Sequence, residues 1–204
     1  MSLEETSPFS TLRKYELISY PYYPRPPGNL SSWEEETLSF LEDVGVAAYF
    51  QIAPKSKQRK KLDSLNRAGL VYKYQLKGER SINVSASRPY KDLKTLLKAL
   101  AFTQLVIKLK EIYPVQVFPG SNFIHAHVQF NNNTFPVIVL RSGDDISMLP
   151  FLVKPLDKLI ILSEKLHPIF EKITIPTRIL LDNDLINSNI LFYLPDGRVE
   201  KQPG

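Results

Sequence analysis

The chain has 204 residues, 43% of them hydrophobic and none of them cysteine, a composition that supplies buried cores and excludes disulfides, thiolate metal sites and cysteine nucleophiles. Three histidines leave little for a histidine-based metal centre, and Lys, Glu, Asp or Pro interrupts every apolar stretch before membrane-spanning length, so a cytoplasmic protein with no cofactor and no membrane partner is expected. The net charge of +5 is unevenly placed: residues 1–50 hold three Lys/Arg against eight Asp/Glu, residues 55–80 nine against two, and residues 81–204 fourteen against eleven.

Residues 1–30 combine Pro8, Pro21, Pro24, Pro26, Pro27 and Gly28 with Tyr15, Tyr20, Tyr22 and Tyr23, which suits an extended or polyproline arm better than a helix. Ser31 and Ser32 then precede Trp33 and the acids Glu34, Glu35 and Glu36, a hydroxyl cap followed by carboxylates near the positive end of a helix dipole. Trp33, Thr37, Leu38, Leu41 and Val44 recur at three- and four-residue steps, and Gly45 stops that helix. Val46 to Ala53 reads as a second short helix ended by Pro54. A third, capped by Ser56, runs to Ala68, with Gly69 able to turn left-handed at its end and Leu62, Leu65 and Leu70 facing inward. Val71–Leu76, the Lys77-Gly78-Glu79-Arg80 turn and Ser81–Val84 read as a hairpin.

The run Ser56-Lys57-Gln58-Arg59-Lys60-Lys61-Leu62-Asp63-Ser64-Leu65-Asn66-Arg67-Ala68-Gly69-Leu70-Val71 resembles the recognition helix of winged helix-turn-helix regulators, with its leucines three apart and an Ala-Gly-Leu-Val step into the wing. The resemblance spans about residues 33–84. It implies a third helix in the major groove of duplex DNA and a hairpin against the minor groove or backbone. Carried onto this chain, the DNA-binding set becomes Lys55, Ser56, Lys57, Arg59, Lys60 and Lys61, with Lys77 and Arg80 on the wing. Arg59 is the expected base reader, because its planar fork can bond a guanine edge twice, whereas lysines suit phosphates. Winged helices also serve as protein-binding modules, and a basic run is also what a solvated helix face looks like.

From Arg88 to Tyr113, the residues Leu93, Leu96, Leu97, Leu100, Phe102, Leu105, Ile107, Leu109 and Ile112 predict a connecting helix apolar around much of its circumference, suited to a domain joint or a homodimer interface. Beyond Pro114 the expected order is strands at Val115–Phe118, Phe123–Phe130 and Phe135–Leu140 with an Asn131–Asn133 turn, a helix over Ile146–Ile173 broken near Pro150, Pro155 and Pro168, strands at Arg178–Leu181 and Ile190–Tyr193, and a turn at Pro195-Asp196-Gly197. The fold class is thus α+β: an arm (1–30), a winged helix-turn-helix (31–87), a connecting helix (88–113) and an α/β domain with a small mixed sheet (114–204).

A winged helix joined to such a domain resembles the replication-relaxation family of plasmid-associated proteins, whose second domain is similar to the restriction-endonuclease fold. An active nuclease of that fold needs an acid on one strand and an acidic-x-Lys triplet on the next. Here His125 and His127 stand at the first place and Val139-Leu140-Arg141 at the second, which implies an inactive domain and no catalytic residues. His125 and His127 face the same way on a strand, half of a zinc site with no third ligand nearby, or simply a packed pair. Asp144 and Asp145 bind a cation or cap a helix, the cap being the simpler reading, and Asp182 and Asp184 read as loop residues.

The expected function is double-stranded DNA binding, by a regulator or accessory factor of replication, transfer or transcription on a bacterial mobile element, with a homodimer or a protein partner engaged through the second domain. Two alternatives stand beside it: a metal-dependent nuclease using His125, His127 and Asp144 or Asp145, and an adaptor whose winged helix binds protein.

Overall fold

A computed structural model describes residues 6–24, 28–186 and 190–200; of the Pro/Tyr-rich arm, residues 1–5 and 25–27, with Pro26 and Pro27, lie outside them. The described chain contains both helices and sheets and divides into two compact units, Arg13–Thr103 and the remainder on either side. No helix among the described residues is long and apolar enough to cross a membrane.

In the Arg13–Thr103 unit, strand β1 (Glu16–Ser19) precedes helix α1 (Ser32–Val44), strand β2 (Val46–Ala48), the single turn α2 (Tyr49–Ile52), helix α3 (Ser56–Arg67), strands β3 (Tyr72–Lys77) and β4 (Ile82–Ala86), and helix α4 (Leu93–Lys110), which continues into the second unit. The strands form one antiparallel sheet in the order β1-β3-β4-β2. Leu41, Ala47, Tyr49, Ala53, Leu62, Leu65 and Val71 make the buried cluster between helices and sheet, with Trp33, Leu38 and Ile52 packed against it.

Local chemistry explains most of these elements. The Glu34 carboxylate accepts from the Ser31 N–H at 2.9 Å, satisfying a donor that the α1 start would leave bare; that bond and the one from the Ser31 hydroxyl hold the Glu34 carboxyl below the ordinary range. Gly45 and Gly69 adopt φ of 86° and 66° where α1 and α3 stop. The expected helix over Val46–Ala53 is divided. Its first three residues pair with β4 in the register Val46↔Ala86 to Ala48↔Val84, and only Tyr49–Ile52 turn helically. α4 starts four residues after Pro89, where the Asp92 carboxylate accepts from the Thr95 N–H at 2.7 Å. Its Leu96, Leu97, Leu100, Phe102, Leu105, Val106 and Leu109 are all buried within the single chain.

The second unit holds a five-stranded mixed sheet, β5 (Gln116–Pro119), β6 (Ala126–Phe130), β7 (Asn133–Val139), β8 (Leu159–Ser163) and β9 (Thr177–Leu181), in sequential order. β5, β6 and β7 are antiparallel; β7, β8 and β9 are parallel. Asn131 and Asn132, at φ 49° and 58°, close the β6–β7 hairpin as a two-residue turn, a backbone shape that asparagine tolerates. The expected Ile146–Ile173 helix is overturned: it contains one turn, α5 (Leu149–Leu152), then β8, then a 3-10 turn at Pro168–Lys172. All five β8 residues are buried. Likewise Ile190–Tyr193 forms no strand; Tyr193 makes isolated bridges to Ile179 and to Val199. Ile138, Leu149, Ile161, Phe170 and Ile179 centre the core of this unit.

Candidate nucleic-acid interface

Eight of the twelve residues of helix α3 are Lys, Gln, Arg or Leu, side chains that lose little rotamer freedom in a helix. Lys55, not Ser56, occupies the cap position, and its N–H donates to Gln58 Oε1 at 3.1 Å. Leu62 and Leu65 are buried. Lys55, Ser56, Lys57, Arg59 and Lys60 are exposed. At 100° per residue, Ser56, Lys57, Lys60, Ser64 and Arg67 lie opposite the leucines and share one solvent face. Arg67, exposed at the end of that stripe, escapes a sequence reading focused on the first turns; the helical spacing from Lys60 would have found it.

The remaining cations of α3 differ in their commitments. Lys61 Nζ donates to Ser31 Oγ at 2.6 Å and lies 5.8 Å from the Trp33 ring centroid, so this lysine ties α3 to the start of α1. Arg59 Nε and Nη2 donate to the carbonyls of Ala53 and Pro54 at 3.1 and 3.2 Å, fastening the turn between α2 and α3 while three of its five hydrogens remain for a ligand. Asp63 Oδ1 accepts from the Tyr49 hydroxyl at 3.0 Å and from Lys73 Nζ at 2.6 Å; burial, reinforced by that carboxylate, raises the Tyr49 hydroxyl above its ordinary value. Among the described residues, Lys57, Lys60, Arg67 and Arg80 enter no ion pair, whereas Lys77 lies 3.7 Å from Glu16 with both side chains largely exposed.

The hairpin between β3 and β4 is flanked by the N-terminal stretch. β1 pairs with β3 from Glu16↔Lys77 to Ser19↔Tyr74, Tyr22 stacks on Tyr72 with ring centroids 3.9 Å apart, and a Cβ at Gly78 would lie 2.9 Å from the Tyr15 ring. The Lys14 carbonyl lies beside Gly78 as well, so Lys14 comes to the hairpin tip, a neighbour that long sequence separation concealed.

In the second unit, His127 lies on β6 opposite Phe118 and Pro136, and the His125 N–H donates to the Val137 carbonyl. Asp144 accepts from the Arg141 N–H at 2.7 Å and Asp145 from the Ser147 N–H at 3.0 Å, so both close turns ahead of α5 and cap no helix. Among the described residues no group of three His, Cys, Asp or Glu side chains could hold a metal ion. Asp182 is no solvated loop residue. It is buried beside Arg141, 3.3 Å from Nη1, at the ends of β9 and β7. Nearby, Glu164 accepts from the hydroxyls of Ser10 and Thr11 and from the Ser142 N–H at 2.7 Å.

Compared with protein-family models, with curated proteins and with solved structures, the chain matches none.

Proposed function

We propose that this protein binds double-stranded DNA through α3 and the β3–β4 hairpin, in the manner of a winged helix-turn-helix, and acts as a regulatory or accessory DNA-binding factor. The observation that carries this reading is the stripe of Ser56, Lys57, Lys60, Ser64 and Arg67, exposed on one face of a helix whose opposite face is core. The element order α1, β2, α2, α3, β3, β4 supports it, since β2 pairs with β4 and the hairpin follows the helix directly.

A second physical argument concerns helix stability. Lys55, Lys57, Arg59 and Lys60 crowd the positive end of the α3 dipole, with no acid in the first turn. That arrangement works against the helix itself and favours an approaching anion. A local rule broken at an exposed place is expected where a ligand compensates for it. In this reading Lys55, Lys57 and Lys60 contact phosphates with Lys77 and Arg80 on the hairpin, Arg59 reads a base with its remaining donors, and Lys61 holds the fold.

Titration of a fluorescent duplex at two salt concentrations tests the proposal, comparing the wild type with the Lys57→Ala, Lys60→Ala double variant. Binding that weakens with salt and drops at least about tenfold in the variant is expected, because each lost phosphate contact removes counterion release. Salt-independent binding, or equal affinity of the two proteins, would sink it.

A further inference from the structure

The second unit contains a construction that the proposed duplex contact does not use. Tyr113, Phe130 and Phe135 form a row of rings with centroids 5.3 and 4.8 Å apart and planes within 18° and 15° of parallel. At one end the Lys158 ammonium lies 4.5 Å from the Phe135 centroid, held there by a 2.6 Å bond to Asn133 Oδ1. Tyr113, half-buried, forms the other end.

Two cavities meet at this row and share Tyr113, Phe130 and Asn131 as lining. The smaller, about 320 Å³, is walled chiefly by apolar side chains including Ile112 and Phe192, with Arg178 and Glu200 paired at 2.7 Å on its rim. The larger, about 880 Å³, is an open cleft whose walls include Lys110, Gln116, Gln129 and Asn132. A ring-lined chamber of this size accepts a small planar molecule. Amide side chains present a donor and an acceptor side by side, which matches the mixed edge of a nucleobase, and a lysine beyond them suits a phosphate. An aliphatic ligand would leave the amides without a role.

We infer that this unit binds a nucleobase, its ring laid against Tyr113, the end ring of the row, its edge met by the Asn131 and Asn132 amides, and its phosphate directed toward Lys110. The base comes either from a free mononucleotide or from an unpaired position in a single strand, since both present the same ring and phosphate.

The test is calorimetric titration of the full chain with dAMP and, separately, with a ten-nucleotide deoxyadenosine strand. Saturable binding of dAMP identifies a mononucleotide ligand, and saturable binding of the strand alone identifies an unpaired base; either supports the inference. Tyr113→Leu should weaken binding by about fivefold or more while Tyr113→Phe stays within about twofold, because stacking and not the hydroxyl carries the contact. The Tyr113→Leu comparison is repeated on the Lys57→Ala, Lys60→Ala background, where strand binding through α3 is reduced, so that failure of the duplex reading and failure of this one are told apart. Since leucine at 113 opens a packed row, Gln116→Ala with Asn132→Ala on the cleft wall serves as a second variant. Absence of saturable binding for both probes at millimolar concentration overturns the inference, as does binding left unchanged in whichever of the two variants folds.

Discussion

With its side chain 1% exposed, Asp182 faces Arg141 at 3.3 Å. Burial outweighs the cation and pushes its carboxyl from an ordinary 3.8 up to about 6. A carboxyl raised in the folded state favours the protonated form there. Its contribution to stability is complete below 3.8 and lost as pH rises through 6, a change of up to about 3 kcal/mol. Glu164 has the opposite sign. Burial raises its carboxyl, but the bonds from Thr11, Ser142 and Ser10 prevail and lower it, so its contribution is present above the ordinary glutamate range and lost as pH falls. The two windows do not coincide. Urea midpoints measured from pH 4 to 7.5 should therefore decline toward neutrality in the wild type more than in Asp182→Asn. At the acid end, where the wild-type carboxyl is protonated, the neutral amide of the variant should match it, and toward neutrality the difference should open in the variant's favour, because asparagine has no carboxyl to ionise. Parallel profiles would show that Asp182 does not titrate in this window.

Among the elements, β1 depends on a glycine fifty residues away. Gly69 has φ of 66°, and a Cβ there would stand 1.9 Å from the Tyr23 carbonyl oxygen, so alanine both strains the α3 stop and displaces the chain that follows β1. The left-handed backbone alone costs about 1–2 kcal/mol. Gly69→Ala should lower the urea midpoint and speed amide exchange at Ile18 and Ser19; unchanged exchange at both would separate the arm from the glycine. The glycine, α1, α3 and the β3–β4 hairpin were legible in the sequence because each has a local signature: a cap, a three-to-four-residue apolar step, a left-handed stop, a turn. β8 was not. Leu159-Ile160-Ile161-Leu162 is buried on both faces, as parallel strands are, so the alternation that marks a half-exposed strand is missing and the run passes for buried helix. β1 escaped for another reason. Its pairing partner is β3, and no local pattern in a proline- and tyrosine-rich stretch specifies a register with residues 74–77. The Arg141–Asp182 pair, and the Tyr113, Phe130 and Phe135 row, were equally hidden, since each joins residues that only the fold brings together.

Across the whole molecule, charge is divided by unit. Residues 13–103 carry sixteen Lys/Arg against nine Asp/Glu, and the rest of the chain ten against twelve. A polyanion is thus attracted by one unit and weakly repelled by the other, whatever the net charge of +5 suggests. On the proposed contact, Lys55, Lys57, Lys60, Lys77 and Arg80 neutralise about five phosphates, so log K against log salt should fall with a slope of about −4.5. Removing Lys57 and Lys60 should bring the slope to about −2.7, while exchange protection by a bound duplex stays within residues 13–103. The slope distinguishes this contact from a diffuse attraction to excess lysine. A diffuse field would lose affinity in the double variant while protection appeared wherever Lys and Arg are exposed, including Lys154, Lys165 and Lys172 in the second unit. Protection there, or a slope that ignores Lys57 and Lys60, would move the DNA off α3 and leave its basic stripe as a solvated helix face.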